Sequence, residues 1–432
     1  MLIVSIDTTI MNTTMPVVAE ELGNISLYAW IFSSYMIAST VLSPIAGRLS
    51  DLFGRKRVLA AGIVMFMVGS MLCGMSQTML QLVLFRFVQG IGAGFMMPFP
   101  SIIAGDLFPV EKRGKIQALF TAMWGLAAVI APLLGALFIE FATWRWIFYI
   151  NIPVSIASFL LLMPYKEVYE PRRSAVDYGG AALFAGGITL FLLLTVVSSG
   201  YLWYALGGAL LLGVFVLYER RQPSPLVPLQ MIGKPAIAWM SVTGFLSCAA
   251  LFGTSSYIPM YLQEQGHSVF MSGVALLGTS AGWMAASVPA GKWILKFGYR
   301  PLFIVGTALL VCTGLMLLGL NASTGFLYVV AVMTLLGAAF GLISTVSIIG
   351  AQQMVSPHEK GISTSFQMLS RNIGTAIGVT IMGALLLRAD NFFAGLHNLF
   401  LYGAVVSFIA LGSSFLIRDQ RKPAVESPSP SA

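Results

Sequence analysis

The chain has 432 residues, of which 57% are hydrophobic and only 9% are charged, and its mean hydropathy is +0.87. This balance excludes an ordinary soluble domain and favours a protein embedded in lipid. The net charge of +8 does not indicate a nucleic-acid partner, because the basic residues are concentrated in alternate loops between apolar segments.

Apolar windows of about 20 residues predict fourteen membrane spans, which leave no room for a soluble catalytic domain. The basic loops lie on one side of these spans, so the positive-inside rule predicts that both termini are cytoplasmic. The predicted spans are residues 1–18, 27–46, 58–75, 79–104, 117–139, 146–164, 178–199, 201–218, 236–262, 270–290, 301–320, 325–349, 362–386 and 396–417.

The first span contains Asp7, followed by the polar run that ends at Pro16. An ionisable residue at the bilayer centre costs at least about 2.5–3.5 kcal/mol, so Asp7 needs a compensating function, such as alternating between a protonated and a charged form. The alternative is an N-terminal residue hydrated at the headgroups. Because only six residues precede Asp7, we expect roughly ten or more further residues upstream, unless a short first span thins the bilayer.

Two segments of the chain are repeated. The basic segment Gly47–Arg57 recurs in altered form at Gly291–Arg300, and Pro109–Gly114 is echoed at Pro357–Gly361. The repeats predict an all-α membrane protein with two parallel six-span bundles. The predicted bundles are residues 1–164 and 236–417, joined by a linker with a two-helix transmembrane hairpin at 165–235 and followed by a disordered cytoplasmic tail at 418–432.

The short basic turn between spans two and three, framed by Gly47 and Gly54, resembles the loop signature of the major facilitator superfamily of secondary transporters. In facilitators, the positions matched by Asp51, Arg55 and Asp106 form a cytoplasmic charge network that latches the outward-facing state. The resemblance therefore implies a facilitator fold with a cytoplasmic gate at these residues. The second copy has Leu295 in place of Asp51, which predicts a gate that is asymmetric between the halves. The alternative is that the basic residues only set the topology.

Three further stretches resemble motifs of the fourteen-span drug:proton antiporters, the EmrB/QacA-like branch. The run from Asp7 to Pro16 resembles their first-span signature, which implies that Asp7 couples transport to protons. The Arg86-x-x-Gln-Gly sequence of span 4 implies that Arg86 assists proton transfer, the alternative being an arginine that snorkels to the interface. Span 5 resembles the antiporter packing motif at Ala131, Pro132 and Gly135, although alanine replaces several of its glycines.

The substrate pocket is the feature that the sequence defines least. Aromatic and thioether groups adapt to apolar and cationic ligands, although most such groups in membrane spans contact lipid or neighbouring helices. The candidate lining residues are Asn12, Trp30, Tyr35, Met97, Trp124, Tyr257 and Arg371.

These features predict a multi-pass cell-membrane transporter that exports lipophilic or cationic compounds in exchange for protons. An alternative is a facilitator that exports a defined metabolite such as a peptide, a siderophore or a sugar product. A channel or a membrane-embedded enzyme is disfavoured, because neither a metal-ligand set nor a clustered His/Asp/Glu site is visible, and no cofactor is expected. The expected partners are a small-molecule substrate, protons and the bilayer, with a periplasmic adaptor compatible with a host that has an outer membrane.

Overall fold

The computed structural model describes residues 1–23, 27–166, 177–193, 200–223, 225, 233–267, 269–321, 324–387, 389 and 391–417. Regular structure within these ranges is helical, with no strand. The α-helices are α1 (Leu2–Leu22), α2 (Tyr28–Phe53), α3 (Arg55–Gly74), α4 (Met79–Met96), α5 (Phe99–Leu107), α6 (Val110–Phe141), α7 (Trp146–Tyr149), α8 (Asn151–Leu162), α9 (Tyr178–Leu193), α10 (Tyr201–Glu219), α11 (Pro235–Ser247), α12 (Thr254–Glu264), α13 (Val269–Phe297), α14 (Tyr299–Leu318), α15 (Phe326–Gln353), α16 (Lys360–Leu387) and α17 (Phe392–Ser414).

Eight helical segments of the described chain are long and apolar enough to cross a membrane. Shorter apolar helices cover parts of three further predicted spans, at Leu2–Met11, Trp146–Leu162 and Tyr178–Phe191. Length and composition therefore support a multi-pass membrane protein, while the count of fourteen spans remains a prediction. The eight segments are Trp30–Phe53, Arg55–Gly74, Met79–Leu107, Leu202–Glu219, Pro235–Leu262, Tyr299–Leu318, Phe326–Gln353 and Phe392–Ser414.

Several helices extend beyond the apolar windows that predicted them. Helix α6 begins seven residues before the window 117–139, and α13 continues seven residues past the window 270–290. A helix keeps its backbone groups hydrogen-bonded after its side chains become polar, so hydropathy alone does not mark its ends. The window 236–262 also contains a π-helical segment, Cys248–Phe252, between α11 and α12.

In both copies, the repeated basic segment turns at a glycine with a positive φ. Gly54 has a φ of 99° between α2 and α3, and Gly298 has a φ of 85° between α13 and α14. Side chains other than glycine rarely adopt positive φ, which explains why both copies hold glycine there. The expected loop is thus a sharp turn around one residue.

The two halves of the repeat, residues 1–164 and 236–417, contact each other through glycines of the repeated segments. A Cβ added to Gly47 of α2 would lie 2.6 Å from the carbonyl oxygen of Gly361 in α16. Similarly, a Cβ on Gly114 of α6 would lie 2.8 Å from the backbone nitrogen of Gly291 in α13. These two contacts are related by the internal repeat, since Gly47 corresponds to Gly291 and Gly114 corresponds to Gly361. Each contact lets two helix backbones approach closely.

Helices α9 and α10 pack on each other, with the rings of Phe184 and Phe215 5.4 Å apart. Phe184 and Ile188 of α9 also join a buried apolar cluster with Ile37 and Val41 of α2. The inserted hairpin therefore lies against the bundle. Most of the linker on either side of it and the tail at 418–432 lie outside the described residues, and the predicted domain boundaries remain predictions.

Helices α13 and α15 approach each other very closely at Gly282, so a larger residue there should destabilise the protein. A Cβ on Gly282 would lie 1.9 Å from the backbone oxygen of Thr334, which cannot move aside independently of its helix. We expect Gly282→Ala to lower the thermal unfolding midpoint of the detergent-purified protein, since overpacking costs typically about 1–3 kcal/mol. Gly213→Ala in α10 is the matched control, because nothing lies within 4 Å of its added Cβ. An equal midpoint for both variants would contradict the close approach.

Candidate functional site

A network of polar side chains lies inside the first half, centred on Asp7. Arg86 Nη1 donates to Asp7 Oδ2 over 2.7 Å, and Gln89 Nε2 donates to Asp7 Oδ1 over 2.8 Å. Asn151 Nδ2 also donates to Asp7 Oδ1, over 3.0 Å. Ser70 Oγ accepts from Gln89 over 2.7 Å and from Asn151 over 3.3 Å. Helices α1, α3, α4 and α8 each contribute to this network, here called the Asp7 network.

All five residues of the Asp7 network are buried, with Asp7 and Arg86 each 1% exposed. Breaking a buried ion pair by removing one partner is strongly destabilising, typically by about 3–5 kcal/mol, because the other charge remains uncompensated. The guanidinium of Arg86 also lies 4.1 Å above the ring of Tyr35, a cation–π contact that adds to its stabilisation. Arg86 Nε has no hydrogen-bond partner among the described residues, which leaves one donor available to water.

A second charge cluster joins the two halves. The carboxylate of Asp51 in α2 accepts hydrogen bonds from the backbone N–H groups of Gly361, over 3.1 Å, and Ile362, over 2.9 Å. These two residues open α16, where N–H groups and the helix dipole favour a negative charge. The side chain of Arg55 holds the same carboxylate through a short ion pair.

Arg55, the first residue of α3, extends this cluster to a fourth helix, α5. Its Nε donates to Asp106 Oδ2 of α5 over 3.1 Å, and its Nη1 donates to Ser50 Oγ over 2.7 Å. Lys360 of α16 lies 3.4 Å from Asp106 Oδ1. This group, here called the inter-half cluster, consists of Asp51, Arg55, Asp106 and Lys360. It lies at the end of the bundle where the basic loops are concentrated, here called the basic end. It holds the halves together at this end.

A neutral side chain reinforces the inter-half cluster. Gln352 of α15, 1% exposed, donates through Nε2 to the carbonyl of Ser101 in α5 and to Thr364 Oγ1 in α16, both over 2.9 Å. Arg113 of α6 donates to Gln352 Oε1 over 3.4 Å and to the carbonyl of Gly105 over 2.6 Å. Four helices from both halves thus meet at one buried amide.

The sequence profile of the Major Facilitator Superfamily matches residues 1–379 and 278–432 of the chain. The chain belongs to the major facilitator superfamily. It is therefore a membrane transporter and not an enzyme.

Curated relatives of this facilitator include drug exporters. It is 31% identical over 393 residues to the multidrug transporter protein MdtP of Bacillus subtilis, covering 88% of this chain and 72% of that protein. It is 31% identical over 413 residues to the multidrug efflux pump SdrM of Staphylococcus aureus, covering 93% and 91%. It is 32% identical over 394 residues to multidrug resistance protein 3 of Bacillus subtilis, covering 88% and 76%.

Solved structures share the fold of this facilitator. The human organic anion transporter MFSD10 superposes with a TM-score of 0.69 at 17% identity, covering 96% of this chain and 97% of that one. The proton:xylose symporter XylE superposes with a TM-score of 0.67 at 14% identity, covering 97% and 94%. These similarities confirm the predicted all-α facilitator fold.

The predicted packing motif of α6 lies against the first helix. Ala131 is fully buried in an apolar cluster with Ile10 and Met11 of α1, and Gly135 is also buried. The side chain of Pro132 lies outside the described residues. The motif therefore packs against the helix that carries Asp7.

The residues predicted to line a substrate pocket do not converge on one cavity. The ring of Tyr35 contacts Arg86 at the edge of the Asp7 network, while Tyr257 donates its hydroxyl to the carbonyl of Val379 over 3.2 Å. Trp30 and Met97 border two separate apolar clusters, and Trp124 is 36% exposed. Arg371 lies in the second half, and the side chain of Asn12 lies outside the described residues. The pocket assignment remains a prediction.

Several site residues were not assigned roles from the sequence. Gln89 and Asn151 complete the coordination of Asp7, and Lys360 and Gln352 complete the contacts between the halves. An amide inside an apolar span was the available signal for Gln89 and Asn151, because such a group needs an internal partner. Gln352 lies just beyond the predicted span 325–349 and gave no such signal. Lys360 carried no comparable signal, since a loop lysine also satisfies the positive-inside rule.

The Asp7 network generates a prediction about coupling between its two charges. We expect Arg86→Met to lower stability strongly, since it leaves the carboxylate of Asp7 buried without its cation. Adding Asp7→Asn should restore part of the loss, giving a coupling energy of at least about 1 kcal/mol in a double-mutant cycle. Thermal unfolding of the four purified proteins measures this coupling.

The exposed Glu20 of the same helix provides the control for that cycle. Glu20→Gln combined with Arg86→Met should give additive effects, because no contact joins the two side chains. Additive losses for Asp7→Asn and Arg86→Met as well would contradict the ion pair.

Proposed function

We propose that this facilitator is a proton-coupled multidrug efflux transporter of the fourteen-span type, which exports lipophilic or cationic compounds across the cell membrane by alternating access. The observation that carries the proposal is the ion pair of Asp7 and Arg86, which is buried among the helices of the first half. The multidrug transport named for the relatives MdtP and SdrM supports export as the direction. The basic residues at one end support a cytoplasmic location for that end and for both termini.

Asp7 is the proposed proton carrier. Its carboxylate is balanced by a guanidinium that stays charged at all accessible pH values. When Asp7 binds a proton, its attraction to Arg86 is lost and Arg86 becomes an uncompensated cation. This change in charge is large enough to favour another arrangement of α1 relative to α4. The unpartnered Nε of Arg86 offers a position where a proton-carrying water can bind.

The inter-half cluster is the proposed cytoplasmic gate. Asp51 contacts the start of α16 only while the halves are closed at the basic end, so these contacts must break each time that end opens. The asymmetry expected from Leu295 fits this assignment, since Leu295 is 44% exposed and offers no carboxylate to the equivalent helix start. The closed basic end corresponds to an outward-facing conformation.

The energetic requirement of the proposed exchange is modest. Each elementary charge that crosses the membrane is worth about 2.3 kcal/mol per 100 mV, and a pH gradient adds to this. For a neutral substrate, one proton per cycle therefore supplies roughly enough free energy for tenfold accumulation or more, because tenfold corresponds to about 1.4 kcal/mol. Exchange of one proton for a monovalent cation moves no net charge, so it is driven by the pH gradient alone.

The proton-coupling role of Asp7 is tested by Asp7→Asn. This variant keeps the size and part of the hydrogen bonding of the side chain but removes the titratable group. We expect proteoliposomes carrying it to lose uphill accumulation of ethidium driven by an imposed pH gradient. Substrate-driven proton release from the purified protein should disappear as well.

Glu20→Gln is the matched control, since it neutralises an exposed carboxylate of the same helix and should transport like the unmodified protein. Uphill transport by Asp7→Asn at the unmodified rate would remove Asp7 from the mechanism. Failure of the unmodified protein to move ethidium or related drugs, together with export of a defined metabolite, would favour the alternative of a metabolite exporter.

The gate assignment is tested by Asp51→Asn. The residue lies at the basic end, far along α2 from Tyr35 and the Asp7 network. We therefore expect the transport rate to fall by tenfold or more, while equilibrium substrate affinity changes by less than about threefold, a difference of less than about 1 kcal/mol. The exposed Glu111, at the start of α6, provides the control Glu111→Gln. Lost affinity with normal turnover in Asp51→Asn would contradict the gate.

A further inference from the structure

Arg371 is a membrane-embedded cation in the second half whose charge the Asp7 network does not explain. It lies near the middle of α16, and its Nη1 donates to the hydroxyl of Ser344 in α15 through a short hydrogen bond. Its aliphatic stem faces Gly244 of α11, where an added Cβ would lie 3.4 Å from Arg371 Cγ. The thiol of Cys248 lies beside it. Arg371 therefore lies at the junction of three helices and keeps part of its surface accessible.

The helices around Arg371 contain no carboxylate. Helices α11, α15 and α16 have no Asp or Glu anywhere in their sequences, and residues 235–387 contain only Glu264 and Glu359. Glu264 ends α12, whereas Glu359 precedes Arg371 by twelve residues, about 18 Å along a helix. No ion pair involves Arg371 among the described residues. Its neighbours supply hydroxyl and thiol dipoles, which stabilise a cation less than an opposite charge does.

The two embedded arginines thus differ in charge balance. Arg86 faces Asp7 over 2.7 Å, so the pair in the first half carries no net charge. Arg371 leaves the interior of the second half with one net positive charge. Because Coulomb interactions are strong in a medium of low dielectric constant, this charge repels a cation and attracts an anion that enters between the halves.

We propose that Arg371 binds an anionic group of the transported compound, so that the preferred substrates are lipophilic compounds bearing a carboxylate. A guanidinium presents a planar fork of donors that matches a carboxylate, and the apolar surroundings accommodate a lipophilic body. The inference rests on the proposed export function and, within its range of lipophilic or cationic compounds, ranks lipophilic acids above cations such as ethidium.

The test compares two dyes that share a xanthene ring system, the anionic 5-carboxyfluorescein and the cationic rhodamine 123. Binding to the detergent-purified protein is measured by fluorescence anisotropy without a proton gradient. We expect the unmodified protein to bind carboxyfluorescein more tightly, with an affinity that falls as salt is added. Arg371→Gln should weaken carboxyfluorescein binding by roughly tenfold or more, since a hydrogen-bonded charge contributes at least about one factor of ten, and should not weaken rhodamine binding.

Two further variants distinguish loss of the positive charge at Arg371 from a general effect of substitution on the structure. Arg371→Lys keeps the charge and should retain most of the preference for carboxyfluorescein. Arg221→Gln removes an exposed arginine between α10 and α11 and should leave both affinities unchanged. Thermal unfolding midpoints verify that each variant is folded. The relative affinity of the unmodified protein for the two dyes is a separate test, which does not depend on the folding of any variant.

The proposal is overturned if the unmodified protein binds rhodamine 123 more tightly, if it binds neither dye, or if Arg371→Gln weakens both dyes equally. Its failure is distinguishable from failure of the proposed function, because binding is measured without transport. If the protein prefers carboxyfluorescein through Arg371 but releases no protons when substrate binds, the anion site is supported and the proton-antiport mechanism is contradicted.

Discussion

A carboxylate and a guanidinium that are both removed from water must compensate each other, and this constraint organises the first half of the transporter. Asp7 and Arg86 come from helices α1 and α4, and Gln89, Asn151 and Ser70 satisfy the remaining acceptors and donors around them. The pair fixes the position of α1 in the bundle, and Ala131 of α6 packs against that helix. Any change in the charge of Asp7 therefore acts on the contacts of several helices at once.

A local change of charge can affect transport only if the halves respond to it. Helix α6 offers one physical connection, because it packs on α1 through Ala131 and reaches α13 at its other end through Gly114. Helix α2 offers a second, because it carries Tyr35 beside Arg86 and Asp51 at the inter-half cluster. Both connections end at close glycine contacts, Gly114 with Gly291 and Gly47 with Gly361. These contacts break when the two backbones separate even slightly. In the proposed cycle, protonation of Asp7 shifts the balance between closed and open arrangements of these contacts.

The sequence predicted those features that leave a strong local signal. Charge and hydropathy indicated a multi-pass membrane protein, and the repeats identified both glycine turns. The loop motif singled out Asp51, Arg55 and Asp106, but not the contacts that join them to α16. The polar first span singled out Asp7, and Arg86 was recognised by its motif. The sequence could not show that Asp7 and Arg86 contact each other, since 79 residues separate them. It also missed the role of Gln352, whose partners Ser101 and Arg113 are 251 and 239 residues away in the chain. Helix ends such as that of α6 do not coincide with changes in hydropathy.

In the proposed cycle, the charge of Asp7 controls closure at the basic end. Spin labels on cysteines introduced at the exposed Arg57 and Gln353, which lie in opposite halves, report the separation of that end by electron resonance once Cys73, Cys248 and Cys312 have been replaced. We expect a short distance when Asp7 is charged at high pH, a longer distance at low pH, and a long, pH-independent distance in Asp7→Asn. A distance that still changes with pH in Asp7→Asn as it does in the unmodified protein would show that another group controls closure.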